Sequence, residues 1–469
     1  MSLLSMKNTK LLIVLALLVS LSACQTAAHG PENPWEEVES ILQRIKPPEF
    51  QAKEFVITDF GAKGDGVADC SEAFRQAIEQ CSTSGGGRVV VPEGEFLTGP
   101  ICLKSDVDLH LAEGAVIKFH RDPKRYLPPV FTRWEGVECM NYSPLIYAYE
   151  QTNIAITGNG TLDGQASNEY WWPWKGNKDD GWIEGMPSQK KGRDSLFAMG
   201  QRGVPVAERM MGEGFYLRPS FIQPYKCKNI LIEGVKIVNS PMWEIHPVLC
   251  ENVTVRNVHI VTHGPNNDGC NPESSKDVLI KDCSFDTGDD CIAIKSGRNN
   301  DGRRLNVPSE NIVVQGCTFK DGHGGVTIGS EISGGARNVF AEDCEFESPV
   351  LYSALRIKSN AVRGGTIENV YVRNVNVGLV DRAVIDIDLY YEEGKNGQFL
   401  PTIRNIVIER MTVKTCKTAL NLVGYEEAPL QNIRLVDCDF KEVTKGYKIE
   451  HVKGLELVNT KVNGKELKP

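Results

Sequence analysis

Basic residues are in short supply in this 469-residue sequence. It carries 52 lysines and arginines against 61 aspartates and glutamates, a net charge of −9. The chain as a whole therefore does not attract polyanions, and no nucleic-acid partner is expected. An acidic polymer could bind only at a local cluster of basic side chains. With 41% hydrophobic and 24% charged residues, the composition also excludes a disordered or collagen-like chain.

Metal-ligand patterns are missing as well. No pair of cysteines has the spacing of zinc ligands, so we expect no metal and no other cofactor. The sequence has 14 cysteines, and setting Cys24 aside leaves 13, so at least one is free. Most of those in the second half occupy apolar alternating runs, where cysteine packs as a small hydrophobic residue: Cys270, Cys283, Cys291, Cys317, Cys344 and Cys438.

No hydrophobic run is long enough to span a bilayer. The longest, residues 11–23, follows Lys7 and Lys10 and falls short of the roughly 20 residues needed. This pattern predicts a secretory signal over residues 1–23. Residues 21–24, Leu-Ser-Ala-Cys, resemble the lipobox of bacterial lipoproteins, which implies lipidation of Cys24 and an exported protein anchored to the cell envelope, on the periplasmic side or the cell surface. The alternative is an ordinary cleaved signal with an incidental cysteine.

One repeat dominates the rest of the chain. Each copy alternates apolar and polar residues, breaks at Asn, Asp or Gly, and alternates again, which indicates two short strands joined by a turn. From Asn229 onward the copies recur every 29 residues on average, a period typical of a solenoid. Their first residues are Asn153, Asn229, Asn252, Asp277, Asn311, Asn338, Asn369, Asn405 and Asn432.

These copies predict an all-β fold, a right-handed parallel β-helix over residues 51–469. An antiparallel sandwich or a propeller fits less well, because regular Asn-Gly hairpin signals and a four-strand period are missing. Residues 71–81 predict a helix that caps the N-terminal end. Residues 24–50 are interpreted as a tether with a short helix near residues 35–45. Residues 165–226 lack β periodicity and are interpreted as an insertion.

Four short motifs follow the first strand pair of four consecutive copies. Their charged or titratable residues lie between 12 and 20 residues after the first residue of their own copy, so the solenoid places them on roughly one face. Coils stacked about 4.8 Å apart would spread four such motifs over about 15 Å, the length of two or three sugar units. The motifs are Asn266-Asn267-Asp268, Gly288-Asp289-Asp290, Gly322-His323-Gly324 and Arg356-Ile357-Lys358.

In this order the motifs resemble glycoside hydrolase family 28, the polygalacturonase-type pectin hydrolases. Residues 60–66 and 85–92 are similar to the N-terminal part of pectin-degrading β-helices. The resemblance implies a glycosidase that cleaves α-1,4-galacturonosidic bonds with inversion and binds a pectic polysaccharide or oligogalacturonide. One departure is Asn267, where the family usually has Thr. The neighbouring carboxylate is kept, so the implied chemistry stands.

The resemblance also implies a role for each residue. Clustered carboxylates cannot all stay ionised, so the pKa of one should rise and leave a protonated acid. By resemblance that acid is Asp289, while Asp268 and Asp290 orient and deprotonate the water. His323 tunes the protonation of the cluster. The expected substrate-binding residues are Asn266, Arg356, Lys358 and one of two adjacent tyrosines, Tyr391 or Tyr390.

Other functions remain open from the sequence. A rhamnogalacturonan backbone is the second choice of substrate. A polysaccharide lyase would need an acidic Ca²⁺ cluster and a Lys or Arg base, and a non-catalytic binding solenoid would not need three aspartates. The insertion favours exo-action, since a loop before Asp268 could close one end of the groove. Its Trp171, Trp172 and Trp174, with Lys175 and Lys178, are expected to receive the terminal sugar, although the tryptophans could instead pack on the solenoid.

Overall fold

The structure is a computed structural model that describes residues 33 to 468. The predicted signal, Cys24 and the first part of the tether lie outside these residues. The chain divides into two compact units, one ending at Ser40 and one beginning at Ile41. No helix within the described range is long and apolar enough to cross a membrane. The described α-helices are α1 (Glu36–Arg44), α2 (Ser71–Thr83), α3 (Lys190–Arg202) and α4 (Asn299–Leu305).

Parallel pairing between successive coils builds almost the whole strand content, which confirms the predicted β-helix. The first coils contain β1 (Glu54–Val56), β2 (Asp65–Asp69), β3 (Gly87–Val91), β4 (Gly94–Thr98), β5 (Ile101–Cys102), β6 (Val107–Leu111), β7 (Ala115–Phe119), β10 (Ile146–Tyr149), β11 (Thr152–Gly158) and β12 (Thr161–Asp163). Between β7 and β10 lies an antiparallel hairpin of β8 (Val130–Trp134) and β9 (Val137–Asn141).

The remaining coils follow the insertion. Their strands are β13 (Ile222–Tyr225), β14 (Lys228–Glu233), β15 (Lys236–Val238), β16 (Glu251–Arg256), β17 (His259–Thr262), β18 (Lys276–Lys281), β19 (Ser284–Thr287), β20 (Ile292–Ile294), β21 (Ser309–Gln315), β22 (Thr318–Asp321), β23 (Val326–Ile328), β24 (Ala336–Glu342), β25 (Glu345–Glu347), β26 (Leu355–Lys358), β27 (Thr366–Asp388), β28 (Thr402–Val423), β29 (Leu430–Val436), β30 (Asp439–Glu450), β31 (Val452–Val458), β32 (Lys461–Val462) and β33 (Lys465–Glu466).

The predicted first residues of the copies all have left-handed backbone, with φ between 53° and 58°. Asparagine tolerates this conformation better than other residues with a side chain. Its side chain also bonds to the next coil: the amide of Asn252 donates to Asn229 at 2.7 Å, and that of Asn338 donates to Asn311 at 3.0 Å. The repeat is therefore marked by Asn because Asn supplies both the corner and a bond between coils.

The core is a set of columns of apolar side chains inside the coils. The register aligns equivalent residues of successive strands, so each side chain packs on its counterparts above and below. One column of fully buried side chains consists of Ile230, Val253, Val278, Ile312, Val339, Val370, Ile406 and Ile433. The described cysteines are all free, and all but Cys102 are buried, which agrees with their interpretation as small hydrophobic residues.

Helix α2 confirms the predicted N-terminal helix. Its apolar face, including Phe74, Ala77, Ile78 and Cys81, is buried in the same core as the coils. The helix packs against β1 and β3 of the first coil. Helix α1 likewise confirms the short helix expected near residues 35–45.

Two details differ from the sequence-based expectation. Most coils have a third short strand, such as β20, β23 and β26, in addition to the predicted pair. The insertion ends earlier than residue 226, because β13 at Ile222–Tyr225 already pairs with β10. Both errors have the same cause: these strands are short and buried on both faces, so they show no alternation of apolar and polar residues.

Candidate active site

The predicted site residues meet where the second strand of each coil passes into the third. Four consecutive coils contribute them, and backbone bonds join the coils at this point: the amide of His323 donates to the carbonyl of Asp289 at 3.0 Å, and that of Gly269 donates to the carbonyl of Asp290 at 3.0 Å. Arg356 and Lys358 lie within β26, which is the third strand of its coil. The expectation that the four motifs share one face is confirmed.

Asp268 is almost fully enclosed, with a side chain 4% exposed against 20% for Asp289. Its Oδ2 accepts a hydrogen bond from Asn271 Nδ2 at 3.0 Å and lies 3.5 Å from Lys295 Nζ. Burial, followed by the charge of Asp289, raises the pKa of Asp268 to about 8. Of the three aspartates, Asp268 is thus the one whose surroundings favour the protonated form.

Asp289 and His323 form an ion pair. His323 Nδ1 lies 2.9 Å from Asp289 Oδ1. Burial favours the neutral form of Asp289, but the hydrogen bond and charge of His323 outweigh it and lower the pKa of Asp289 below its usual range. Burial likewise opposes the charged form of His323, yet Asp289 raises the pKa of His323. The expected elevated pKa thus falls on Asp268, because only Asp289 has an imidazolium beside it.

Asp290 is paired with the two cations of the fourth motif. Its Oδ2 lies 2.6 Å from Lys358 Nζ, its Oδ1 lies 3.6 Å from Arg356 Nη1, and Thr327 Oγ1 donates to Oδ1 at 3.1 Å. Burial disfavours the ammonium of Lys358, but Asp290 raises the pKa of that lysine. Arg356 and Lys358 are therefore fixed in charge and position beside the acid cluster.

The two asparagines of the first motif have different surroundings. Asn266 lines the cavity, where its Oδ1 accepts bonds from Lys175 Nζ at 2.6 Å and Arg218 Nη2 at 2.8 Å. Asn267, the departure from the usual family motif, is fully buried. Its Oδ1 accepts from the amide of Gly264 at 2.7 Å, and its Nδ2 donates to the carbonyl of Ser240 at 3.1 Å. Asn267 therefore braces the loop and leaves the carboxylates unchanged.

The structure separates the two candidate tyrosines. The ring centroid of Tyr391 lies 5.2 Å from Lys358 Nζ and 5.8 Å from Arg356 Cζ, and this ring lines the cavity. Tyr390 is 46% exposed and makes an edge contact with Tyr425 at 4.9 Å. Tyr391 is the one of the two that lies at the site.

The site is a cavity of about 460 Å³. Seven cationic side chains line it, against six carboxyl groups and His323, although the chain as a whole carries net −9. This is the local basic cluster that an acidic substrate requires. The cations are Lys175, Arg193, Lys295, Arg298, Arg356, Lys358 and Arg382.

The insertion contributes to the cavity through Lys175 and through Arg193 of helix α3. Its tryptophans do not. Trp171 is buried and meets Trp174 edge-on at 5.1 Å, while Trp172 donates its Nε1 hydrogen to the carbonyl of Ser240 at 2.8 Å. The expectation that these rings receive sugar is wrong, since they pack on the solenoid. Lys178 is also outside the cavity lining.

Several cavity residues were missed from the sequence. Lys295 and Arg298 form ion pairs with Glu331 at 3.0 and 2.9 Å, and Arg298 also lies 3.9 Å from Glu135 of the β8–β9 hairpin. Tyr352 stacks on His323 with ring centroids 4.6 Å apart. Residues 295 and 298 follow Asp290 by less than ten positions, and this spacing was the available signal. Nothing in the sequence pointed to the hairpin.

One set of side chains within residues 33–468 has donor atoms close enough to hold a metal ion. It consists of His263, Asp286 and Asp321, whose donor atoms lie within 4.8 Å of one another. These residues are partly exposed, and none of them lines the cavity. The carboxylates of Asp268 and Asp290 are instead engaged by lysines.

Comparison with known proteins agrees with this geometry. The profile of Glycosyl hydrolases family 28 matches residues 212–462, which include all four motifs. This chain belongs to Glycosyl hydrolases family 28. A second profile, Rhamnogalacturonase A/epimerase, pectate lyase-like, matches residues 55–111. The predicted glycoside hydrolase is therefore confirmed, and the region that matches the family contains the four motifs on which the prediction was based.

Individual relatives of this family 28 chain cover most of its length. The crystal structure of a hyperthermoactive exopolygalacturonase from Thermotoga maritima is 48% identical, covers 93% of this chain and 97% of that one, and has a TM-score of 0.89. An exo-poly-alpha-D-galacturonosidase of Dickeya chrysanthemi is 29% identical over 76% of this chain and 62% of its own length. A probable polygalacturonase of Vitis vinifera is 28% identical, over 84% of this chain and 75% of that protein.

Proposed function

We propose that this enzyme releases single galacturonic acid units from the ends of polygalacturonate by inverting hydrolysis of α-1,4 bonds. The observation that carries the proposal is the cavity itself. Three aspartates share it with seven cationic side chains, and the insertion supplies Lys175 and Arg193 to its wall. A carboxylated sugar suits such a lining, and a walled cavity suits a chain end. The Thermotoga and Dickeya relatives are both named for exo-action.

In the proposed mechanism Asp289 protonates the leaving oxygen. The His323–Asp289 pair holds one proton between the two groups, and the imidazole returns it to the carboxyl as the glycosidic bond breaks. Asp290 accepts the proton of the attacking water. Asp268, whose pKa is raised, orients that water.

Substrate is held in this proposal by the cations on the C-terminal coils. Arg356 offers two parallel hydrogen bonds to a sugar carboxylate, and Lys358 adds a point charge while it fixes Asp290. Tyr391 packs beside both cations and presents a ring to the sugar. Asn266 lies within 3.5 Å of Asp289 and completes the polar floor of the site.

Product analysis over time on long polygalacturonate tests the proposal. The expected result is galacturonic acid alone from the earliest point, with slow loss of viscosity. An early ladder of mixed oligomers would contradict exo-action. The same assay with a chelator and ultraviolet detection addresses the lyase alternative, because a lyase would form an unsaturated product. We expect hydrolysis to be insensitive to the chelator, since acid–base carboxylates need no Lewis acid.

A rhamnogalacturonan substrate is the second candidate. The match of residues 55–111 to the rhamnogalacturonase-type profile favours it, although those residues lie outside the cavity. Parallel digestion of defined galacturonan and rhamnogalacturonan oligosaccharides distinguishes the two. Faster release from the galacturonan supports the first proposal, and cleavage of only the mixed backbone would replace it.

We also propose that the chain is exported and lipidated at Cys24, with residues 24–50 as a tether and residues 51–469 as the catalytic domain. The lipobox-like residues 21–24 support this. The expected result is that the protein sediments with membranes and that Cys24→Ser is recovered in the soluble fraction. A soluble wild-type protein that lacks an acylated N-terminal peptide by mass spectrometry would contradict it.

A further inference from the structure

The β8–β9 hairpin places a glutamate at its tip. The two turn residues are Glu135 and Gly136, with φ of 40° and 81°. Two-residue turns with positive φ at both positions strongly favour Asn-Gly or Asp-Gly. Glutamate gains no local hydrogen bond that compensates for this strained conformation, and backbone strain of this kind concentrates at functional positions. The turn geometry therefore does not explain why position 135 is a glutamate.

The tip of the hairpin is fixed firmly on the solenoid. The amide of Arg298 donates to the carbonyl of Gly136 at 2.9 Å. A Cβ atom at Gly136 would lie 2.7 Å from that amide nitrogen and 3.0 Å from Cβ of Glu331, so only glycine fits. On the strand before the turn, Trp134 Nε1 donates to the carbonyl of Arg218 at 3.0 Å. The position of Glu135 is thus set by contacts on both sides of the turn.

The Glu135 side chain forms part of the cavity wall. Its side chain is only 8% exposed, and its Oε2 lies 3.2 Å from Arg193 Nε and 3.9 Å from Arg298 Nη1. Among residues 33–468, one hydrogen bond, from Arg193 Nε, reaches Oε2, and none reaches Oε1. A carboxylate accepts about four hydrogen bonds. The two arginines therefore hold the Glu135 carboxylate in place. Its Oε1 can still accept hydrogen bonds from a molecule bound in the cavity.

That spare capacity has a specific use if the enzyme attacks chain ends. A carboxylate cannot pair with the acid groups of a galacturonan, but it accepts hydrogen bonds from hydroxyl groups. The non-reducing end has a free 4-hydroxyl next to the 3-hydroxyl. In an internal unit O4 carries the next sugar, has no hydrogen to donate, and brings another carboxylate that Glu135 repels.

We propose that Glu135 is a specificity-determining residue that accepts hydrogen bonds from the free 4-hydroxyl of the terminal galacturonic acid. The inference rests on the exo-acting function proposed above and names the group by which the end is recognised. Arg193 and Arg298 hold the carboxylate in position, and the hairpin carries it to the cavity.

The test compares two synthetic trigalacturonates that differ only at C4 of the non-reducing end, which carries hydroxyl in one and hydrogen in the other. For the wild type, kcat/KM for release of the terminal unit should be about 100-fold higher with the hydroxyl, because the deoxy sugar leaves one oxygen of a buried carboxylate without a hydrogen-bond donor. Glu135→Gly removes the side chain and suits the left-handed turn, so it should fold. Its preference should fall below about 10-fold.

A matched control and a product assay complete the test. Glu184→Gly removes an exposed carboxylate of the insertion and should keep the wild-type preference. A preference that is small in the wild type, or unchanged in Glu135→Gly, would overturn the inference even if the wild type releases only monomer from long polygalacturonate. Mixed oligomers from the wild type would instead show that the exo-acting function itself is wrong, and the inference would be lost with it.

Discussion

His323 Nδ1 lies 2.9 Å from Oδ1 of Asp289, one coil away in the solenoid. The two residues are 34 positions apart in sequence, and the stacking of coils alone brings them together. Because the imidazole and the carboxyl share one hydrogen bond, they titrate as a pair. In the proposed mechanism, the same proton lies on His323 in the free enzyme and passes to Asp289 for catalysis.

The first prediction concerns the acid. Asp289→Asn should lower kcat by at least about 10²-fold, because an amide keeps the shape of the side chain but has no proton to give. Binding of trigalacturonate, measured by calorimetry, should change little. Asp286→Asn, on the same coil but outside the cavity, is the matched control and should keep normal activity. Substantial turnover by Asp289→Asn would mean that the acid has been assigned to the wrong aspartate, and Asp268, with its raised pKa, would be the replacement.

The second prediction concerns pH. Burial opposes the charged form of His323, but Asp289 raises the pKa of His323 above its usual 6.5. The His323–Asp289 pair therefore keeps its proton at pH values below 6.5. It loses that proton as pH rises through the raised pKa of His323 in the folded protein. His323→Asn removes the imidazolium. The alkaline limb of the kcat/KM profile should then move to lower pH, because the acid loses its proton without the help of the pair. A profile with an unmoved alkaline limb would show that His323 acts only through packing against Tyr352.

The third prediction uses a buried ion pair away from the cavity. Arg133 and Glu273 are both fully buried, with Arg133 Nη1 3.1 Å from Glu273 Oε1. Arg133→Met should lower the free energy of unfolding by about 3–5 kcal/mol, because it removes the arginine from a buried carboxylate and leaves His246 as its charged-group partner. Denaturant unfolding measures this. Arg75→Met removes an arginine whose pair with Glu72 is mostly exposed, and its effect should be much smaller than that of Arg133→Met.

The same pair predicts a pH dependence of stability. Burial alone would raise the pKa of Glu273, but Arg133 and His246 lower it below its usual 4.5. A depressed folded pKa stabilises the protein above the unfolded value and loses that contribution as pH falls through the folded value. Wild-type stability should therefore fall below about pH 4.5, and the fall should be less steep in Arg133→Met, which lacks the contribution of Glu273. Equal slopes in both proteins would contradict the assignment.

The solenoid could be predicted because its signal is repeated. Asn229, Asn252 and their counterparts occupy corners where φ is positive, and a corner that recurs every 29 residues on average is visible in the sequence. The third strand was missed, since three buried residues such as Ile292–Ile294 have no period of their own. The β8–β9 hairpin was missed because its turn has Glu135 where Asn would be the recognisable residue.

The sequence predicted which residues form the acid cluster, but it did not predict their pKa values. Asp268, Asp289, Asp290 and His323 were found because they recur in register on successive copies. Which aspartate has the raised pKa depends on which one His323 contacts, and that depends on side-chain positions rather than spacing. The tryptophans of the insertion were misassigned for a related reason: aromatic composition does not say which face of a ring is buried.

The last prediction separates charge from geometry in substrate binding. Arg356 Nη1 lies 3.6 Å from Asp290 Oδ1, its Nε lies 3.6 Å from Asp386 Oδ2, and its side chain is 14% exposed, so its position is fixed before substrate arrives. Arg356→Lys keeps the charge but loses the planar pair of donors. On trigalacturonate we expect kcat/KM to fall by about 10- to 100-fold, which corresponds to about 1.4–2.7 kcal/mol.

A methyl-esterified trigalacturonate supplies the comparison for Arg356, because an ester cannot accept the bidentate pair of charge-assisted bonds. Wild type and Arg356→Lys should therefore differ by less than about threefold on the ester, while Arg337→Lys, an exposed arginine paired with Glu310, should match the wild type on both substrates. If Arg356→Lys lost the same factor on acid and ester, the arginine would act by holding Asp290 in place, and carboxylate recognition would have to be assigned to Lys358 or Arg382 instead.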